Sequence, residues 1–314
     1  MKIFITGLTG FVGQHLDRLL EENKYQVFGT SYPQKPPSQA KNVHYLDIRE
    51  GKKLAKFIKE VKPDLIFHLA AISNVQSSWE KRQQTIETNI LGTSNLLEAV
   101  RQFSPQSKIL LVGSSDIYGN IASENQPISE EFPYNPINPY GVSKVAQEIL
   151  GKFYHSIENL KVIMTRSFNH TGPGQSPEFV CSDWAKQIAE IERGQRKPVL
   201  KVGNLESKRD FTDVRDVARA YLLLLSKGKA GEIYNVCSSR AIFLKDILKT
   251  LLSYSQISIK VKVDHHKFRK TDFPLLVGDN RKLITQIGWQ PEIPFEKTLL
   301  DLLNYWRNRV KNRN

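Results

Sequence analysis

A chain of 314 residues, 40% of them hydrophobic, is long enough for one or two domains with a sizeable core. Two cysteines far apart, Cys181 and Cys237, fit reduced, buried thiols of a cytoplasmic protein better than a disulfide framework; no apolar run reaches membrane-span length, and no signal peptide is expected because the first strand starts at once. The net charge of +13 is spread along the chain apart from a basic tail at residues 307–313, with no basic-aromatic stripe of a nucleic-acid module, so small anionic ligands are expected instead.

The first predicted strand covers residues 2–6 and meets glycines at 7, 10 and 13, with a helix over residues 11–22. Gly7 suits a tight turn, Gly10 leaves room for a pyrophosphate, and Gly13 lets the helix pack closely on the sheet. The free N–H groups at the start of that helix, around Phe11 and Val12, and the helix dipole favour phosphate. The spacing is G-x-x-G-x-x-G rather than the commoner G-x-G-x-x-G. A second strand, 25–30, ends in Gly29-Thr30-Ser31-Tyr32, where no acid stands to bind a ribose 2′-hydroxyl; hydroxyls on Thr30 and Ser31, with Lys35 nearby, suit a 2′-phosphate. Lys35-Pro36-Pro37-Ser38 is loop composition. Asp47 follows the strand-like residues 43–46, either as a turn residue or as a ligand contact. Further strands are predicted at 64–69, 108–113, 161–166 and 231–236, with helices near 80–101 and at 139–156. Strands alternating with helices through residue 165 predict a doubly wound parallel α/β sheet. No metal-ligand spacing or internal repeat is present, and His265-His266 reads as a loop pair.

Ser114 falls at the carboxyl end of a strand, where ligands bind in open α/β sheets. Tyr140-Gly-Val-Ser-Lys144 follows Pro139 at a helix start, and residues four apart share a helix face. An ammonium ~4 Å from a phenolate gains about 4 kcal/mol at an effective dielectric of ~20. That predicts a Tyr140 pKa roughly three units below its usual ~10, fit for exchanging a proton with a sugar hydroxyl or carbonyl. The Ser114 hydroxyl steadies charge on the same oxygen.

With Thr6-Gly7-Leu8-Thr9-Gly10-Phe11-Val12-Gly13, Asp47-Ile48-Arg49, His68-Leu69-Ala70-Ala71, Thr88-Asn89-Ile90-Leu91-Gly92-Thr93, residues 114–119, residues 140–144 and Arg209-Asp210-Phe211-Thr212-Asp213-Val214-Arg215-Asp216, the chain resembles, almost end to end, the extended short-chain dehydrogenase/reductases. The resemblance implies a Rossmann domain at 1–166, rejoined by 203–237, and a smaller nucleotide-sugar-binding domain from 167–202 and 238–314. It implies a catalytic set of Ser114, Tyr140 and Lys144, with Lys144 also holding the nicotinamide ribose. It places Asp47 and Ile48 at the adenine, and Leu69, Ala70 and Ala71 along the ribose and pyrophosphate. Ser73, Ser115 and Asp116 face the sugar, and Asn169, Val180, Lys186, Arg209, Arg269 and Asp272 contact the nucleotide-sugar. The acid-free Thr30-Ser31 edge favours NADPH, with NADH as the alternative, and the Tyr32 that stands where such reductases often carry Arg weighs against that preference. A homodimer through the helices near 80–101 and 139–156 is also implied, with Ile86, Ile90, Leu97, Val145 and Ile149 as its apolar positions.

Arg166-Ser-Phe-Asn169-His170-Thr-Gly172-Pro173-Gly174-Gln175, followed by Phe179-Val180 and residues 183–192, resembles the branch of GDP-4-dehydro-6-deoxy-D-mannose reductases, which make GDP-D-rhamnose. Asp116 keeps a second reading open. The family's 4,6-dehydratases carry an acid two places after the Ser or Thr, usually the longer Glu. A third reading, a non-catalytic dinucleotide sensor, fits less well because Tyr140 and Lys144 are both present.

Overall fold

The computed structural model describes residues 1–36, 42–268 and 273–311. Pro37, Ser38, Arg269, Asp272 and the end of the basic tail lie outside them. The chain runs β1 (Lys2–Thr6), α1 (Phe11–Glu22), β2 (Gln26–Ser31), β3 (Val43–Tyr45), α2 (Gly51–Val61), β4 (Leu65–His68), α3 (Val75–Glu80), α4 (Arg82–Ile86), α5 (Gly92–Phe103), β5 (Lys108–Ser114), α6 (Pro139–Ser156) and β6 (Lys161–Ser167). It continues through β7 (Asn169–Thr171), α7 (Val180–Glu192), β8 (Val199–Val202), β9 (Lys208–Asp213), α8 (Val214–Lys227), β10 (Ile233–Val236), β11 (Ala241–Phe243), α9 (Leu244–Ser253), β12 (Lys260–Val263), β13 (Leu275–Leu276), α10 (Arg281–Ile287) and α11 (Phe295–Lys311).

Seven strands form one sheet in the order β10-β6-β5-β4-β1-β2-β3, each neighbouring pair parallel. The order reverses between β1 and β4, and a crevice opens there at the strands' carboxyl ends. The strands are apolar runs because helices cover both faces. Leu16 and Leu20 of α1 join Tyr221 and Leu224 of α8 in one core layer, and Leu54 and Ile58 of α2 join Leu96 and Val100 of α5 in the other.

A smaller unit has its own core, built from α7, α9, α11, β8 and β9 around Trp184 and Trp306. Two stretches lie on the other side of the expected boundaries. β9 pairs with β7, β11 and β13 in the small sheet, so the return to the large domain begins at Val214 rather than 203. Leu283, Ile287 and Trp289 pack into the large domain's core, anchored by the Trp289 indole donating to the Asp216 carbonyl at 3.0 Å.

The helix expected near 80–101 is broken. A π turn at Glu87–Leu91 separates α4 from α5. Asn89 accounts for it: its amide accepts from Ile72 N–H at 2.8 Å and donates to the Ile72 carbonyl, pulling the turn toward the β4 end. Such wide turns recur at functional sites.

Candidate active site

A cleft of about 890 Å³ lies over the switch point, between the large sheet and the small domain. On its first wall Gly7 takes φ +73, and a Cβ there would stand 3.1 Å from the Ala70 backbone. A Cβ on Gly13 would stand 2.4 Å from the Leu8 carbonyl, so α1 sits against the loop only with glycine there. No side chain caps α1 at Gly10, whereas Asn74 caps α3 and Asn138 caps α6. The helical ladder starts at Gln14 N–H to Gly10 O, 3.1 Å, so the N–H groups of Phe11, Val12 and Gly13 precede it. Uncapped donors and the helix dipole in a glycine-lined hollow fit a pyrophosphate.

That wall is locked from behind. The Thr6 hydroxyl accepts from Leu69 and Ala70 N–H at 3.1 Å each, so its proton goes to His68 Nδ1 at 2.8 Å. His68 Nε2 then donates to Thr93 at 2.9 Å, and Thr93 donates to the Asn89 carbonyl. Asn89 donates to Ser143, and Ser143 to the Tyr140 carbonyl at 2.7 Å. One hydrogen-bonded chain thus ties the 7–13 loop to α6. Burial, with the Lys144 charge adding to it, holds the His68 pKa down to about 3, so the ring is neutral.

Thr30 lines the cleft and accepts from Gly7 N–H at 3.1 Å. Ser31 does not reach it, contrary to expectation. Its hydroxyl is turned inward, donating to the Gln34 carbonyl at 2.6 Å and pairing with Thr9 at 2.9 Å, and so shapes the loop. Asp47 and Ile48 line the cleft, as do Leu69, Ala70, Ala71 and Ser73. Burial would raise the Asp47 carboxyl, but a two-pronged grip by Arg49 outweighs it and holds the group below the usual range. The Arg49 guanidinium also lies 5.7 Å from the ring of Tyr32, itself a lining residue.

Ser114, Tyr140 and Lys144 converge on the cleft from the end of β5 and the first turns of α6. Pro139 starts α6, and Asn138 caps it by accepting from Gly141 N–H at 2.7 Å. The predicted lowering of the Tyr140 pKa is not found. Burial pushes the phenol up, the Asp116 charge adds to this, and a hydrogen bond with Ser114 opposes it. The reason is the place of Lys144. Its ammonium lies 5.8 Å from the Tyr140 ring centroid and donates instead to the Val112 carbonyl and to Gln147, each at 2.8 Å. Burial alone brings the Lys144 pKa down to about 7. Asp116 lines the cleft beside Ser115, but Asn138 and Ser114 donate to its two carboxylate oxygens at 3.0 and 3.2 Å.

Across the cleft stand Asn169, Val180 and Arg209. Arg209 is 7% exposed and donates to the Lys208 and Phe273 carbonyls at 2.8 and 2.7 Å. Asp210 turns away, accepting from Ser238, Ser239 and Gly278 N–H, and Asp213 accepts from Arg215 and Thr298. Lys186 is not brought to the cleft; it pairs with Glu190 one turn along α7. Arg269 and Asp272 lie outside the described residues. Sequence reasoning missed Asp183 and Lys267, an ion pair at the cleft, and His170, which stacks on Phe11 at 6.0 Å. His266, read as a loop residue, also reaches the lining. Among the described residues no cluster of His, Cys, Asp or Glu could hold a metal, and no helix is long and apolar enough to cross a membrane.

Sheet order, uncapped glycine loop and the Ser–Tyr–Lys group define an extended short-chain dehydrogenase/reductase. The chain belongs to the family whose model is described as GDP-mannose 4,6 dehydratase, which matches residues 4–302. It is 35% identical to a GDP-6-deoxy-D-mannose reductase of Pseudomonas aeruginosa, over 99% of this chain and 98% of that one. It is 28% identical to a GDP-6-deoxy-D-talose 4-dehydrogenase of Aggregatibacter actinomycetemcomitans, over 99% and 98% of the two chains. Among solved structures it superposes on RMD from Pseudomonas aeruginosa, complexed with NADPH, with a TM-score of 0.89, 35% identity and coverage of 98% and 99%.

Proposed function

We propose that this protein reduces the C4 ketone of GDP-4-dehydro-6-deoxy-D-mannose to GDP-D-rhamnose, with NADPH as reductant. The observation that carries the reading is Ser114, Tyr140 and Lys144 standing between a phosphate-ready glycine loop and an Arg209-lined wall, in a chain 35% identical end to end to a GDP-6-deoxy-D-mannose reductase. NADPH, when bound, supplies the hydride. The 7–13 loop holds its pyrophosphate, Asp47 and Ile48 its adenine end, Leu69, Ala70 and Ala71 its riboses. Support for the phosphorylated cofactor is the acid-free Thr30 edge with the Arg49 guanidinium beside Tyr32, and the NADPH in the structural neighbour.

Ser114 hydrogen-bonds the ketone oxygen, and Tyr140 gives it a proton. A phenol kept protonated by burial is the form a donor needs. The Lys144 ammonium stabilises the phenolate left behind, so the free enzyme should work best below about pH 7, where Lys144 is charged. Arg209 faces the diphosphate, with Asn169 and Val180 beside it. Asp116, held by the Asn138 amide at 3.0 Å, suits a positioning role better than the proton abstraction of a dehydratase.

The assay is loss of reduced-nicotinamide absorbance with the ketosugar, and NMR of the product sugar to separate the rhamno from the talo epimer. Ketosugar formation from GDP-mannose alone would establish the dehydratase instead. Equal competition by UDP and GDP would remove the guanine assignment and leave the tyrosine chemistry standing.

A homodimer is supported by an exposed apolar stripe on α6, Val142, Ile149 and Phe153, with Ile86 and Leu91 beside it. Leu97 and Val145 do not belong to it; they pack inward. Phe153→Asp should shift the sedimenting species to monomer. The buried, free Cys181 and Cys237 support a cytoplasmic location.

A further inference from the structure

We propose that Gln147 is a positioning residue for the reduction: its side-chain carbonyl holds the Lys144 ammonium against the end of β5 and keeps it charged. The inference rests on the reading of Tyr140 and Lys144 given above. Gln147 lies three residues after Lys144 on α6 and is 2% exposed. Its Oε1 accepts from Lys144 Nζ at 2.8 Å, while its Nε2 donates at 3.1 Å to the Val112 carbonyl, which also accepts from Lys144. The reverse amide orientation would set donor against ammonium and oxygen against oxygen, so the triangle admits one arrangement. Among the described residues the amide's polar partners are the lysine and the carbonyl the lysine uses.

Both acceptors of the ammonium are neutral. Among the titratable groups, His68 on β4 feels the Lys144 charge, and the Tyr140 ring on the same helix lies 5.8 Å from the ammonium. His68 is neutral, and Asp116 and Tyr221 act on Tyr140. Glu148, the next residue on α6, is paired with Arg166 and Lys152. A buried ammonium without an anion depends on each dipole aimed at it. Removing one of two acceptors should make Lys144 lose its proton more readily, and with it the charge that stabilises a Tyr140 phenolate. The sequence carried no sign of this: a Gln inside an apolar helix face resembles any buried amide.

Two titrations test the proposal. The first follows the alkaline limb of kcat/KM for the ketosugar. The second follows the Lys144 Cε resonance in protein labelled with 13C at lysine Cε, assigned by its absence in Lys144→Met. Gln147→Leu should lower both midpoints by roughly one pH unit, the size of one hydrogen bond to a charged group. Gln147→Glu should raise both. If Gln147→Leu fails to fold, the glutamate variant, of the same volume, decides alone. Midpoints that coincide with the wild type in both titrations overturn the proposal, because a merely structural amide would change rate or stability without moving them. A moved resonance with an unmoved kinetic limb overturns it too, since the lysine's charge would then not govern the reaction. Absence of any NADPH oxidation in the wild type would fell the functional reading instead, and the resonance would still report whether Gln147 holds the lysine's proton.

Discussion

The wall of the cleft built on the 7–13 loop and the wall built around Arg209 are made of different materials. The first offers backbone: N–H groups ahead of the α1 ladder, glycines where a Cβ would collide, and a buried Thr6–His68–Thr93 chain behind them. The second offers side chains from separate segments, Asn169, Val180 and Asp183, Lys267 and Arg209, each fixed by its own neighbours. A backbone wall binds what all dinucleotides share. A side-chain wall can be rebuilt for a different sugar nucleotide without touching the sheet. Tyr140 sits on the seam between them.

The largest effect should come at the seam. Tyr140→Phe removes the proton donor and should lower kcat by ~10²–10⁴, with NADPH and GDP binding nearly unchanged because neither wall is altered. An active Phe variant would show that the proton comes from elsewhere.

The next two substitutions separate the walls. Arg209→Ala should cost ~2–4 kcal/mol in kcat/KM through loss of a charge-assisted contact to a buried anion. It should weaken competition by GDP and leave NADPH affinity alone. Arg209→Lys keeps the charge and should recover part of the loss. A matched fall in NADPH affinity would mean that the two phosphate sites are assigned to the wrong walls. Gly13→Ala is the counterpart. A Cβ 2.4 Å from the Leu8 carbonyl and 2.6 Å from that of Gly7 must push the loop off α1. NADPH affinity should fall roughly tenfold or more, about 1.4 kcal/mol per decade, while GDP competes as before. Isothermal titration with each ligand reads both outcomes.

The same contrast explains what the sequence disclosed. The first wall was legible because its chemistry is local: residues 2–22 carry strand, turn and helix in one run, and α1 falls at Phe11–Glu22 as the pattern predicts. Ser114 and Tyr140 were legible for the same reason, one at a strand end, one after a helix-starting Pro. Ser31 was misread because one hydroxyl cannot be seen turning inward toward Gln34 from sequence alone. Lys186 was misread because α7 shows its neighbour Asp183 to the cleft while Lys186 finds Glu190 on its own helix. The Asp183–Lys267 pair was missed because its members are 84 positions apart. The misjudged Tyr140 pKa has another origin. Spacing put Lys144 near the phenol, but the competing acceptors, Val112 O and Gln147, come from the fold.

The smallest effect concerns stability at the seam. Lys144 is buried with its pKa brought from 10.5 down to about 7, so the unfolded chain holds that proton more tightly than the folded one. A base whose folded pKa is depressed destabilises the fold most below the folded value. Stability should therefore rise with pH between about 7 and 10.5, by at most ~1.4 kcal/mol per unit. Lys144→Met removes the ammonium and keeps a flexible apolar stem of similar length. It leaves the Gln147 and Val112 acceptors short of a partner, which returns about 1 kcal/mol. The net expectation at pH 7 is a protein more stable than the wild type and nearly inactive, as when an active site is built at the expense of stability. Urea unfolding from pH 7 to 10 should show the gap between variant and wild type narrowing as pH rises. A gap that stays constant across that range would mean that Lys144 is not held against its charge, and that the seam carries no such burden.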